Sequence, residues 1–160
     1  MPILHVQAAA HGKTPDGKTV ALPPSVALQL RGPLLQVTVT IEQNMAQVLL
    51  EQGKPVPSPV AGRALLDTGA STTCVDEQAA LQLGLPVVDV VSMASASHAR
   101  HQCNVYPVQI NIPPMLNLQA PRAMGAALAA HGLLALIGRD VLQQCTVFYN
   151  GATGQITLSI

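Results

Sequence analysis

Tryptophan is absent from this 160-residue chain, and its aromatic side chains amount to two tyrosines and one phenylalanine. Bases stack on aromatic platforms, so binding of single-stranded nucleic acid has nothing to build on. Charge is scarce as well: eight Lys and Arg balance eight Asp and Glu, giving a formal net charge of zero. That balance argues against a nucleic acid or an anionic membrane as the main partner. No long apolar run is present. The stretch G-L-L-A-L-I-G at 132–138 is far too short to cross a bilayer. The start, M-P-I-L-H-V-Q-A, lacks a basic stretch followed by a long apolar one, so the expectation is a cytoplasmic protein without a signal peptide. The cysteines are Cys74, Cys103 and Cys145. An odd count at wide spacing is no disulfide framework, and reduced, buried thiols are expected.

Apolar residues are plentiful, at 49% of the chain, and the length suits one domain with a real core. So many aliphatic residues with so few charges suggest that another subunit covers part of the surface.

Residues 1–31 read as an N-terminal arm, with turn signals in H-G-K-T-P-D-G-K-T and a closing Pro23-Pro24. Residues 32–160 read as the domain. The run L-L-Q-V-T-V-T-I (34–41) alternates like a strand with one wet face, and Ala46–Leu50 is its expected hairpin partner. Arg63–Leu66 reads as a buried strand, and Thr72–Val75 begins another. Asp76 suits the N-cap of a short helix that Gly84 and Pro86 stop. Val87–Val91 is β-branched and expected in the core, with V-Y-P-V-Q-I-N-I (105–112) alternating after it. Arg122–His131, rich in Ala and Met, is expected as a helix. Leu133–Ile137 reads as a buried strand, and G-R-D-V-L-Q-Q-C (138–145) as a strand turning into a short helix. The end reads as a hairpin turning at Asn150-Gly151, with Ile156, Leu158 and Ile160 on one face.

Two motifs carry chemistry. A-L-L-D-T-G-A-S-T-T-C-V (64–75) places Asp67 at the end of an apolar strand, and A-L-I-G-R-D-V-L (135–142) follows about seventy residues later. In that order and spacing they resemble the retropepsin-like (retroviral-type) aspartic proteases, above all the bacterial single-domain members, over about residues 32–160. The resemblance implies an all-β half-barrel with one to three short helices and an active site on a homodimer two-fold axis. It implies an aspartic endopeptidase acting on a peptide or protein substrate, with no metal or organic cofactor.

The chemistry suits the motif. Amide hydrolysis needs a base to activate water and an acid to protonate the carbonyl oxygen and the leaving nitrogen. Two adjacent carboxylates that share one proton supply both roles. Only one of the five aspartates, Asp67, stands in a D-T-G, so a homodimer that brings Asp67 to its own symmetry mate is the economical source of the second. By resemblance Asp67, Thr68 and Gly69 are catalytic, with Thr68 locking the pair and Gly69 allowing close backbone approach. Ala70 and Ser71 join the substrate-binding set. Alanine stands where pepsin-like enzymes carry a hydroxyl, so a mildly acidic optimum is expected. Arg139 and Asp140 are expected as structural support at the start of the last helix. A second acidic residue that often meets this Arg in viral relatives is replaced by Ser71, so Arg139 needs another acceptor. A rival pairing of Asp140 with Asp67 inside one chain is disfavoured.

Ser92–Asn104 falls where the family has its flap, and Ser95, Ala96, Ser97 and His98 are the expected substrate contacts there. The segment holds no glycine, unlike viral flaps. His98, His101 and Cys103 form an H-x-x-H-x-C pattern that reads as solvated loop, and Cys74 reads as buried filler with no base beside it. Two alternatives accompany the peptidase reading: a catalytically silent dimeric peptide-binding module of the same fold, and a precursor that clips its own arm.

Overall fold

The computed structural model describes residues 2–95, 98–114 and 116–160. Twelve strands and four short helices account for the fold among them. The chain opens with β1 (Ile3–Gln7), a small hairpin of β2 (His11–Lys13) and β3 (Thr19–Ala21), and helix α1 (Pro24–Arg31). Next come β4 (Leu34–Thr40), α2 (Gln43–Glu51) and β5 (Val60–Leu66). β6 (Cys74–Asp76) leads into α3 (Glu77–Gln82), followed by β7 (Asp89–Ser95), β8 (His98–Ile112) and β9 (Leu116–Ala126). The chain ends with β10 (Ala135–Ile137), α4 (Arg139–Leu142), β11 (Thr146–Asn150) and β12 (Gln155–Ser159). The protein is mostly β, as expected.

Seven strands make the main sheet in the order β4-β5-β10-β6-β9-β8-β7. β4 also pairs with the far half of β8, Val39 opposite Ile110, and this second pairing curls the sheet toward a barrel. Alternation does the inward sorting. Leu35, Val37 and Val39 of β4 are buried, and so are Val108, Ile110 and Ile112 of β8 and Leu116, Leu118 and Ala120 of β9. A second sheet, β1-β12-β11, carries Ile156 and Leu158 into the same core. The first residues are therefore tied down, and both edges of β12 are occupied within the chain.

Five local expectations are corrected. Ala46–Leu50 is not a hairpin partner but part of α2. Met45, Ala46 and Leu49 pack against the core at helical spacing, and Gln, Met, Ala and Leu are good helix formers. A second helix, α1, lies in the expected arm; Pro24 starts it, and Gly32, at φ 71°, ends it.

Conversely, most of Arg122–His131 is strand. β9 runs to Ala126 because it pairs with β8 on one side and β6 on the other, and strand pairing overrides the helical preference of Ala and Met. Only Ala129–His131 forms a single 3-10 turn. Val87–Val91 is not core: Val87 and Val88 precede β7 without joining a strand, Val90 lies on β7, the outermost strand of its sheet, and all three are about half exposed. The terminal hairpin turns over a longer loop than Asn150-Gly151 alone. Asn150 Oδ1 accepts from the Thr153 N–H at 3.2 Å, and Ile160 is exposed.

Asp76 does more than cap α3. Its Oδ2 accepts from the Ala79 N–H at 3.4 Å, and its Oδ1 accepts from the N–H groups of Leu128 and Ala129 at 3.0 and 2.8 Å. One buried carboxylate thus joins the start of α3 to the turn that leads into β10. Replacing Asp76 with Ala removes a cap and orphans two further donors. The unfolding free energy is expected to fall by about 2–4 kcal/mol in urea titrations. A loss within experimental error would show that water replaces the carboxylate at no cost.

Candidate active site

Asp67 stands at the C-terminal end of β5. β5 runs parallel to β10, with Leu66 opposite Ile137, and the Asp67 N–H donates to the Ile137 carbonyl at 2.9 Å. Ala64 and Leu66 are buried beneath, so the strand delivering the carboxylate is anchored in the core. The chain then turns tightly. Asp67 Oδ1 accepts from the Gly69 N–H at 2.8 Å and the Ala70 N–H at 3.3 Å. Gly69 keeps the turn uncrowded, since a Cβ there would stand 3.0 Å from Oδ1 and the carboxylate would have to shift. Oδ2 accepts no hydrogen bond among the described residues. Asp67 is half-buried, whereas Thr68, Gly69 and Ser71 are exposed, and the Thr68 hydroxyl meets no acceptor among the described residues.

The second motif grips this turn from behind. Arg139 Nη1 donates to the carbonyls of Thr68 and Gly69 at 2.7 and 3.0 Å. These are the acceptors that the sequence left open for it. Its backbone N–H donates to the Ala70 carbonyl at 3.0 Å. Asp140, in the first turn of α4, takes the Thr73 N–H on both oxygens, at 2.9 and 3.0 Å, and the Thr73 hydroxyl at 2.8 Å. That hydroxyl oxygen in turn accepts from the Gly138 N–H at 3.0 Å. Gly138 lies so close that a Cβ would stand 2.6 Å from the Thr72 carbonyl carbon. Asp140 therefore spends its carboxylate on Thr73, and no hydrogen bond joins it to Asp67 among the described residues.

A cleft of about 520 Å³ lies beside the turn. Ser71, Thr72 and Asp140 bound it on one side, Val91, Ser92 and Met93 of β7 on the other, and Val105 and Met124 also line it. Arg122 lines it too and pairs with Asp89. The cleft thus joins the Asp67 turn to the root of the β7–β8 hairpin. Of the expected flap contacts, Ser95 and His98 face each other across that hairpin, and Ala96 and Ser97 lie outside the described residues.

Sequence reasoning missed Thr73, which satisfies Asp140 and Gly138 together. A buried threonine six residues after the aspartate, in a chain with a later G-R-D, was the available signal. It also missed the Glu77 carboxylate, which accepts from Tyr106 Oη at 2.6 Å and Asn104 Nδ2 at 2.9 Å across α3 and β8. Burial, chiefly, and then this carboxylate raise the Tyr106 phenol above its ordinary value.

A model of the aspartyl protease family matches residues 37–124, which include the Asp67 turn and end before Gly138. Among solved structures, the chain is similar to a retropepsin-like aspartic protease from Rickettsia conorii, with 12% identity and a TM-score of 0.47 over 98% of this chain and 91% of that one. No curated protein matches it significantly.

Cys74, close behind the turn, is no nucleophile. Burial first, then the neighbouring Cys103, Asp140 and Asp67, push its thiol from 9.0 up to about 11. The raised value favours the folded state fully below pH 9, and that contribution is lost as the pH climbs from 9 toward 11. At pH 8 iodoacetamide should label Cys74 roughly a hundredfold more slowly than the same thiol in the urea-unfolded chain. Equal rates, read by mass spectrometry of the tryptic peptide, would contradict the assignment.

Proposed function

The chain belongs to the aspartyl protease family, and on that basis we propose that it is an aspartic endopeptidase whose two catalytic carboxylates are the Asp67 side chains of two copies of the chain. One observation carries the reading: Asp67 has one oxygen held by its own loop, a second with no hydrogen bond among the described residues, and a cleft beside the loop. A carboxylate oxygen that its own loop does not use can accept from a water or a second carboxyl group. The exposure of Thr68 and Gly69 supports a second subunit there, and in such a dimer the Thr68 hydroxyl would bond the opposite loop.

In the proposed reaction the two carboxyl groups share one proton. The ionised group takes a proton from the water as its oxygen attacks the peptide carbonyl. The protonated group gives its proton to the carbonyl oxygen. The pair then returns a proton to the leaving nitrogen as the C–N bond breaks. Arg139 and Asp140 act as positioning residues, because they touch the loop and not the reacting atoms. The substrate is an extended segment of about six to eight residues that pairs with the β7–β8 hairpin. Val91, Met93, Val105 and Met124 suit an apolar side chain in the cleft. Three free cysteines suit a reducing, cytoplasmic setting.

Cleavage of a mixed peptide library between pH 3 and 8 tests this reading. Wild type is expected to cut, and Asp67→Asn to lose at least about a thousandfold in kcat/KM with little change in stability. Activity that survives Asp67→Asn would overturn the assignment.

A further inference from the structure

Two small pockets, of about 210 and 160 Å³, flank the strand that carries Asp67 and share Arg31, Leu34 and Arg63. Leu65 and His131 line the second. Neither is lined by any Asp or Glu. Among the described residues no ion pair or hydrogen bond engages either guanidinium, whereas the ion pairs Lys18–Asp16 and Arg122–Asp89 lie elsewhere. In a chain with only eight Lys and Arg, two arginines and a histidine share this space with no counter-charge. Both arginines are exposed at the mouths of these pockets. Arg63 lies against Gly132, where a Cβ would come within 2.7 Å of Nη2. Arg31 closes α1, and the carbonyl end of a helix favours a cation there.

Position links this site to the chemistry. Side chains alternate along β5: Ala64 and Leu66 are buried, Arg63 and Leu65 fall on the other face, and Asp67 follows directly after the strand's last residue. Arg63 and Asp67 are therefore about 13 Å apart along the strand, which an extended peptide covers in about four residues. The reach of an arginine side chain shortens that to two to four.

Resting on the peptidase reading above, we propose that Arg31 and Arg63 form a carboxylate-binding pocket that selects substrates carrying Glu or Asp two to four residues from the bond to be cut. A guanidinium recognises a carboxylate by paired, charge-assisted hydrogen bonds, and Leu65 with Leu34 packs the methylenes of the same side chain.

Decapeptides that differ only in Glu or Gln at one position, scanned along the chain, test the pocket. Binding is read by fluorescence anisotropy on the Asp67→Asn protein, and cleavage on wild type. At one position Glu should bind about tenfold more tightly than Gln, and the advantage should shrink as NaCl rises. In Asp67→Asn carrying Arg31→Gln and Arg63→Gln, the Glu-to-Gln ratio should fall to about one, and Lys at both arginine positions should restore part of it. Equal binding of Glu and Gln peptides, no binding of either, or a preference that survives the double Gln variant would each overturn the proposal. Because binding is read without catalysis, a wild type that cuts no peptide refutes the peptidase reading and leaves the binding ratio to decide the pocket.

Discussion

The grip of residues 137–140 on residues 67–73 is the constraint on which the candidate site depends. Ile137 takes the Asp67 N–H, Gly138 packs on Thr72, Arg139 holds two loop carbonyls, and Asp140 holds Thr73. The hydrogen bonds among these contacts replace water on backbone groups of the turn. The loop has no regular structure of its own, so this grip takes the place of a sheet ladder. It also explains why two charged residues, Arg139 and Asp140, lie next to a buried core: each is consumed by the loop. The carboxylate that remains available is Asp67.

The rest of the fold keeps the grip in place. β10 lies between β5 and β6, so the strand before the turn and the strand after it both pair with the short segment that feeds Gly138. Pulling β10 away would open both sides of the loop at once. Asp76 then fixes the chain that returns to β10, through Leu128 and Ala129. The same scarcity of charge that marks the composition leaves few carboxylates to spare, and three of them, Asp76, Glu77 and Asp140, bond neutral backbone or side-chain donors instead of cations.

The Asp67 turn was legible because its chemistry is local. An aspartate after two leucines, followed by Thr-Gly, dictates a strand end and a turn whatever lies around it. The start of α4 was legible for the same reason. Arg139's acceptors were not, since they are main-chain carbonyls that any sequence would present; only the folded geometry brings them within 2.7 and 3.0 Å. α2 and β9 were misjudged for opposite reasons. The apolar run at 46–50 was too short to reveal its period, and the alanines near 123–126 carry a helical preference that pairing with two neighbouring strands outweighs. Val87–Val91 shows that β-branched composition fixes neither where a strand begins, which is Asp89 here, nor which side of it faces water.

The account stands on a dyad made from two copies of one residue. The most direct test mixes wild-type protein with rising fractions of Asp67→Asn under conditions that let subunits exchange, at fixed total concentration, and follows cleavage of one peptide. If each active site needs Asp67 from both subunits, activity should fall as the square of the wild-type fraction, to about one quarter in an equal mixture. A linear fall, to about one half, would mean that a single chain carries a complete site, and the shared-carboxylate account would be wrong.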